Sequence, residues 1–215
     1  MHRFLPVATL ALMTALTALP AAAVDFTGWT EQKFSLFSSN DYRQAGSSLG
    51  VKSDGSVSLL WTRLPEAEWG ATSASWRWSV DQSVPPTPLD QKGGDDRNLS
   101  LYFVFLPETV AAQYKDSNIR KLLEADEARV LLYVWGGDTA RGTILPSPYL
   151  GARGKTVVLR GAGTGAFAES VNLQTDLSRA FGSGTDGVLV GLAVSADSDD
   201  TDSVISGGIA NLTLK

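Results

Sequence analysis

The 215-residue sequence contains no cysteine, and its single histidine is His2. Without cysteine there is no disulfide framework, no thiol nucleophile and no lipid-modified cysteine. Beyond position 2 there is no histidine, which excludes Ser-His-Asp and Cys-His catalysis, the usual zinc sites and a histidine general base from the rest of the chain. Any chemistry must run on carboxylates, Tyr, Lys, Arg or Ser/Thr. Positive charge is also scarce: 18 Lys and Arg face 23 Asp and Glu, for a net charge of −5. No basic patch is visible, which argues against nucleic acid and anionic membrane as partners.

Long apolar runs are missing everywhere except at the N-terminus. There "MHRFLPVATLALMTALTALPAAAVDF" places Arg3 before an apolar run and ends in small residues through Ala23. That pattern predicts a cleaved secretory signal over 1–23 and a periplasmic or secreted protein. The run is shorter than the roughly 20 apolar residues of a membrane-spanning helix, so no membrane insertion is expected. Residues 24–215 have the length of one domain with a sizeable core, and no linker, repeat or low-complexity block divides them.

What is present reads as strands. Gly 21 and Trp 6 suit an all-β chain rich in turns. Short apolar or alternating segments predict strands over 31–37, 43–52, 56–64, 73–80, 99–106, 128–135, 155–161, 167–173, 187–195 and 207–215. Helical pattern is confined to one or two short helices between Pro107 and Arg129 and one capped turn, "TDLSRAFG", started by Thr175 or Asp176 and closed by Gly182. The expected fold is a two-sheet antiparallel β-sandwich of jelly-roll type. Central strands apolar on both faces, "LSLYFVFL" and "VLLYVW", place one face on the core and leave the other to be covered or to form a groove.

Two features bear on function. In "SASWRWSV", alternation sends Ala74, Trp76, Trp78 and Val80 to one face, which reads as core, with a ligand-lining role for one tryptophan as the alternative. Tyr133 and Trp135 share a face with Leu131 and offer a second aromatic pair. The other feature is acidic. Asp95 and Asp96 precede Arg97 as a solvated turn with local ion pairing, and "SADSDDTDS" follows an apolar strand. Its Asp197, Asp199 and Asp202, with interspersed hydroxyls, suit calcium. The EF-hand template fails, because Asp202 and Gly208 stand where it needs Gly and Glu. A plain acidic turn and catalytic carboxylates are the other readings.

Read in order, "WRWSV" (76–80), "KGGDD" (92–96), "LLYVWGG" (131–137), "GTILPSPY" (142–149), "ESVNLQTDLSRAFG" (169–182) and "VGLAVSADSDDT" (190–201) resemble the DUF3047 family. The resemblance implies an exported bacterial envelope protein and supplies no reaction. It also implies an arginine where Ser100 stands, a tyrosine where Leu177 stands, and Asp-Thr-Asp-Asn-Thr where 197–201 reads DSDDT.

Three functions fit these observations. The first is a non-catalytic module binding oligo- or polysaccharide, with Trp78, Tyr133, Trp135, Asp96 and Asp199 as ligand contacts. The second is a glycan-active hydrolase using Asp96 with Asp199 or Glu169, or a lyase using Tyr102 or Lys92 as base. The third is a structural envelope protein that binds a protein partner and no small ligand.

Overall fold

Period-2 alternation gives nearly every strand two faces, and a computed structural model describing residues 22–215 shows what each face meets. Seven strands form one sheet in the order β1 (Thr30–Lys33), β4 (Val57–Arg63), β11 (Val188–Asp197), β6 (Arg97–Leu106), β7 (Arg129–Gly136), β9 (Gly151–Arg160) and β8 (Ile144–Ser147). Five form the other, in the order β10 (Gly165–Asn172), β5 (Ser73–Gln82), β12 (Val204–Leu214), β3 (Ser48–Asp54) and β2 (Asp41–Ala45). The two sheets make the β-sandwich expected from the sequence. Pairing is antiparallel except between β7 and β9, which run parallel. The predicted export signal lies outside the described residues apart from Ala22 and Ala23, and Ala23 bridges Thr213. No helix of the described residues is long and apolar enough to cross a membrane.

Several boundaries differ from the sequence reading. The strand expected over 31–37 ends at Lys33, and the one expected over 155–161 begins at Gly151. The segment 43–52 is a hairpin rather than one strand, because Gly46, at φ 56°, turns the chain between β2 and β3. Strand β8 was not expected; it carries Pro146, tolerable because β8 is an edge strand. The capped turn is a helix, α3 (Leu173–Phe181), that starts earlier, with the Asn172 side chain accepting from Thr175 N at 2.8 Å.

The space between the sheets is filled by the apolar face of each strand. Trp76 and Trp78 of β5 meet Phe103 of β6 and Tyr133 and Trp135 of β7. Trp76 and Trp78 contact edge to face at 5.5 Å, and Trp78 and Trp135 lie 5.5 Å apart. Helix α3 closes one end with Leu173 and Leu177, and Asp176 Oδ2 accepts from the Tyr133 hydroxyl at 2.9 Å. Leu177 is therefore a core residue.

The outer face of the seven-stranded sheet is apolar too. Val104 and Leu106 of β6 and Val130, Leu132 and Val134 of β7 point away from the sandwich core. Two short helices, α1 (Glu108–Ala111) and α2 (Ile119–Glu124), cover part of this face with Ala111, Ile119 and Leu122. The Arg63 guanidinium ties the connection down by donating to the Ser117 carbonyl at 2.6 Å. The part that these helices leave uncovered is the cleft described next.

Candidate functional site

At the uncovered part of that outer face, apolar residues give way to polar ones on the same alternation. Arg97, Ser100 and Tyr102 of β6 and Ser195 and Asp197 of β11 sit where Val104, Leu106 and Val190 stand further along. A cavity of about 380 Å³ opens over them, within the range of small-ligand pockets. Leu59, Tyr102, Leu132 and Thr156 form part of its floor, and Asp95, Arg97 and Asp197 a polar patch beside them.

Arg97 organises that patch. Its Nη1 donates to Asp95 Oδ2 at 2.8 Å and to Asp197 Oδ2 at 2.9 Å. Its Nε donates to Ser100 Oγ at 2.7 Å, and its Nη2 to the Tyr102 hydroxyl at 3.1 Å. The Arg97 backbone passes close to residue 136 of the neighbouring strand, which is glycine: a Cβ there would lie 2.7 Å from Arg97 Cβ. Burial works against the arginine charge, but Tyr102, Asp197 and Asp95 outweigh it and raise its pKa.

Two carboxylates face one guanidinium, so one negative charge is in surplus. Asp197 is 5% exposed, and its Oδ1 has no hydrogen-bond partner. Burial pushes its carboxyl up to about 8 against the pull of Arg97, and nearby Asp199 adds to the rise. Asp95 also rises, first through burial, although Arg97 and the Tyr149 hydroxyl both favour its ionised form. Because both Oδ2 atoms bond the same nitrogen, they lie within about 6 Å of each other; about 5–5.5 Å separates the two carboxyl groups of retaining glycosidases.

Asp96, one residue earlier than Arg97, has a different task. It is fully buried and accepts from Asp200 N at 3.3 Å, Thr201 N at 2.8 Å and the Thr201 hydroxyl. This joins the loop before β6 to the loop after β11. Carboxylate oxygens of Asp96, Asp199 and Asp200 lie within 4.8 Å of one another, compatible with a divalent cation; Asp96 Oδ2 is taken by Thr201, while its Oδ1, which accepts only from Asp200 N, keeps a lone pair. The expected ligand set was Asp197, Asp199 and Asp202. The cluster keeps Asp199 alone of these: Asp197 is turned to Arg97, and Asp202, at φ 48°, sits beside the Gly55 turn.

The expected aromatic contacts land elsewhere. Trp78, Tyr133 and Trp135 are 2%, 0% and 1% exposed, so none can stack on a ligand; they are the inter-sheet core. Glu169 belongs to neither carboxylate group. It accepts from Arg160 Nε and Arg141 Nη2, each at 2.8 Å, and from Trp78 Nε1 at 3.3 Å, clamping β10 to β9. Asp95, Asp96 and Arg97 are not a solvated turn, because all three are buried, although the ion pair between Asp95 and Arg97 is present. Lys92 lies 5.5 Å from the ring centroid of Tyr149, and Tyr102 accepts from Arg97, so neither is placed as a free base.

Sequence reasoning missed Phe34 and Tyr149, which line the cavity, and the central part of Arg97. The available signal was the polar substitution of an apolar face: Ser100 and Tyr102 alternate with Leu101 and Phe103 and point the opposite way.

The DUF3047 family, described as protein of unknown function, matches residues 27–213. No curated protein matches the sequence. Solved structures of carbohydrate-active proteins share its outline at low identity. The xyloglucanase domain of NopAA, a type three effector from Sinorhizobium fredii solved with cellobiose, is 9% identical, covers 87% of this chain and 95% of its own, and has a TM-score of 0.40. An endo-1,4-β-xylanase from Trichoderma reesei is 11% identical over 86% of this chain and 97% of its own, with a TM-score of 0.38. The agarase AgWH50C is 7% identical over 91% of this chain and 26% of its own, with a TM-score of 0.34.

Proposed function

The chain belongs to the DUF3047 family, and from that premise we propose that it is a glycan-active enzyme of the exported compartment that works with carboxylates alone in the outer-face cleft. One observation carries the reading: Asp197 lies buried in the cleft wall with Oδ1 unpaired, within about 6 Å of a second carboxylate on the same arginine. A buried carboxyl in a cavity wall, with one oxygen unpaired, is suited to hold a proton for donation. In this reading the glycosidic oxygen takes the Asp197 proton as its bond to the anomeric carbon breaks. The Asp95 carboxylate adds to that carbon, and a water that returns its proton to Asp197 then releases the sugar. Arg97 fixes both groups, and the buried floor excludes bulk water.

Calcium is the ion that the all-oxygen triad of Asp96, Asp199 and Asp200 suits, where it would brace the two loops that carry the site.

Incubation with neutral polysaccharides, followed by assay of new reducing ends, tests the proposal. Wild-type protein releases them, and Asp197→Asn or Asp95→Asn lowers the rate at least about a hundredfold while retaining the fold. Turnover that stops in EDTA and returns with calcium supports the ion; indifference to EDTA removes it. A protein that binds glycan and never cleaves it is the non-catalytic module instead.

A further inference from the structure

Among the described residues four large apolar or aromatic side chains stand well exposed: Phe34 at 58%, Leu36 at 90%, Phe37 at 99% and Tyr149 at 58%. Isolated cases are ordinary on a protein surface, but these are not scattered. Phe34 and Tyr149 both line the cleft, and Leu36 and Phe37 follow Phe34 in one short loop. The two rings arrive from opposite edges of the seven-stranded sheet, Phe34 directly after edge strand β1 and Tyr149 in the connection from edge strand β8 to β9. The charges around the cavity lean one way. Asp95, Asp197, Asp199 and Asp200 line it against a single guanidinium, Arg97.

We propose that Phe34 and Tyr149 are the sugar-stacking walls of this cleft, and that its ligand is a neutral polysaccharide of pyranose rings. This rests on the glycan reading above and adds the ligand class and the residues that select it. Such rings expose apolar C–H faces that an aromatic side chain covers well. With Asp197 protonated as the donor, Asp95, Asp199 and Asp200 still outnumber Arg97 in the metal-free cleft, which disfavours a uronate, sulfate or phosphate polymer and leaves neutral hydroxyls as suitable partners. Leu36 and Phe37 lengthen the apolar rim beyond Phe34, so longer chains gain contact. Tyr149 lies beside Asp95 at the edge of the polar patch that it flanks.

Isothermal titration of the protein with cellohexaose, xylohexaose and hexagalacturonate tests this. One or both neutral hexamers bind, and hexagalacturonate gives no heat. Phe34→Ala and Tyr149→Ala each weaken the neutral hexamer about five- to tenfold. Tyr149→Phe, which keeps the ring and loses only the hydroxyl, retains most of the affinity. All three variants keep the wild-type melting temperature, since the side chains removed are exposed. Equal or tighter binding of hexagalacturonate overturns the ligand class. Neutral binding that is unchanged in Phe34→Ala and Tyr149→Ala overturns the walls and leaves the cleft reading standing. No heat with any of the three hexamers overturns both.

Discussion

Each buried charge in this protein is held by a small number of named partners, and Glu169 offers the cleanest test of that arrangement. Burial alone would raise its pKa, yet Arg141 and Arg160 hold it below the ordinary carboxylate value of 4.5. A group depressed in the folded state stabilises above its unfolded pKa and loses that contribution as pH falls through the folded one. Glu169→Gln should therefore cost about 1–3 kcal/mol at neutral pH. The gap between mutant and wild type should close as pH drops below 4.5, which urea titrations across the acid range will show. The residue scale is also where the sequence was least legible. Asp96 and Asp197 carry no local mark that separates a loop brace from a cleft carboxyl; the difference lies in Thr201 for one and Arg97 for the other, each brought in by tertiary pairing. Ser100 illustrates the same point. It occupies a position where the family resemblance implies arginine, and here its hydroxyl receives Arg97 from three residues earlier.

Elements were far easier to read, because alternation is written in the chain itself. Strands β4, β5, β6, β7, β10, β11 and β12 fall where apolar periodicity placed them, to within a few residues. The exceptions have identifiable causes: a glycine turn inside an apparently continuous segment at Gly46, and a four-residue edge strand, β8, too short and too interrupted by Pro146 to register. Alternation also decides the role of the tryptophans. Trp78 shares a face with Trp76 and Val80, and that face meets β6 and β7 across the sandwich. Trp78→Ala should cost about 3–5 kcal/mol, read as a fall in the denaturation midpoint. The same substitution leaves the cleft's own side chains in place, because Trp78 is not among the residues that line it.

At the scale of the whole molecule, two sheets leave two outer faces, and they are unlike each other. The outer face of the five-stranded sheet carries Ser75, Arg77 and Ser79 of β5 with Gly208 and Ala210 of β12, mostly small or polar residues under a hollow of about 510 Å³. The seven-stranded sheet presents apolar strands, partly roofed by helices and partly open over Arg97, Asp95 and Asp197. The sequence announced that such a second apolar face exists, since β6 and β7 are apolar at almost every position. Which end of it stays open depends on where the 107–128 connection and the loops carrying Phe34 and Tyr149 come to rest, and no periodicity encodes that.

The proposed glycan reading places the ligand at the open end of this face. Hydrogen–deuterium exchange of the protein with and without a saturating neutral hexasaccharide measures this directly. The account predicts new protection confined to 34–37, 95–102, 147–150 and 195–200. Protection centred instead on Arg77, Gly208 and their neighbours on the five-stranded sheet would contradict it.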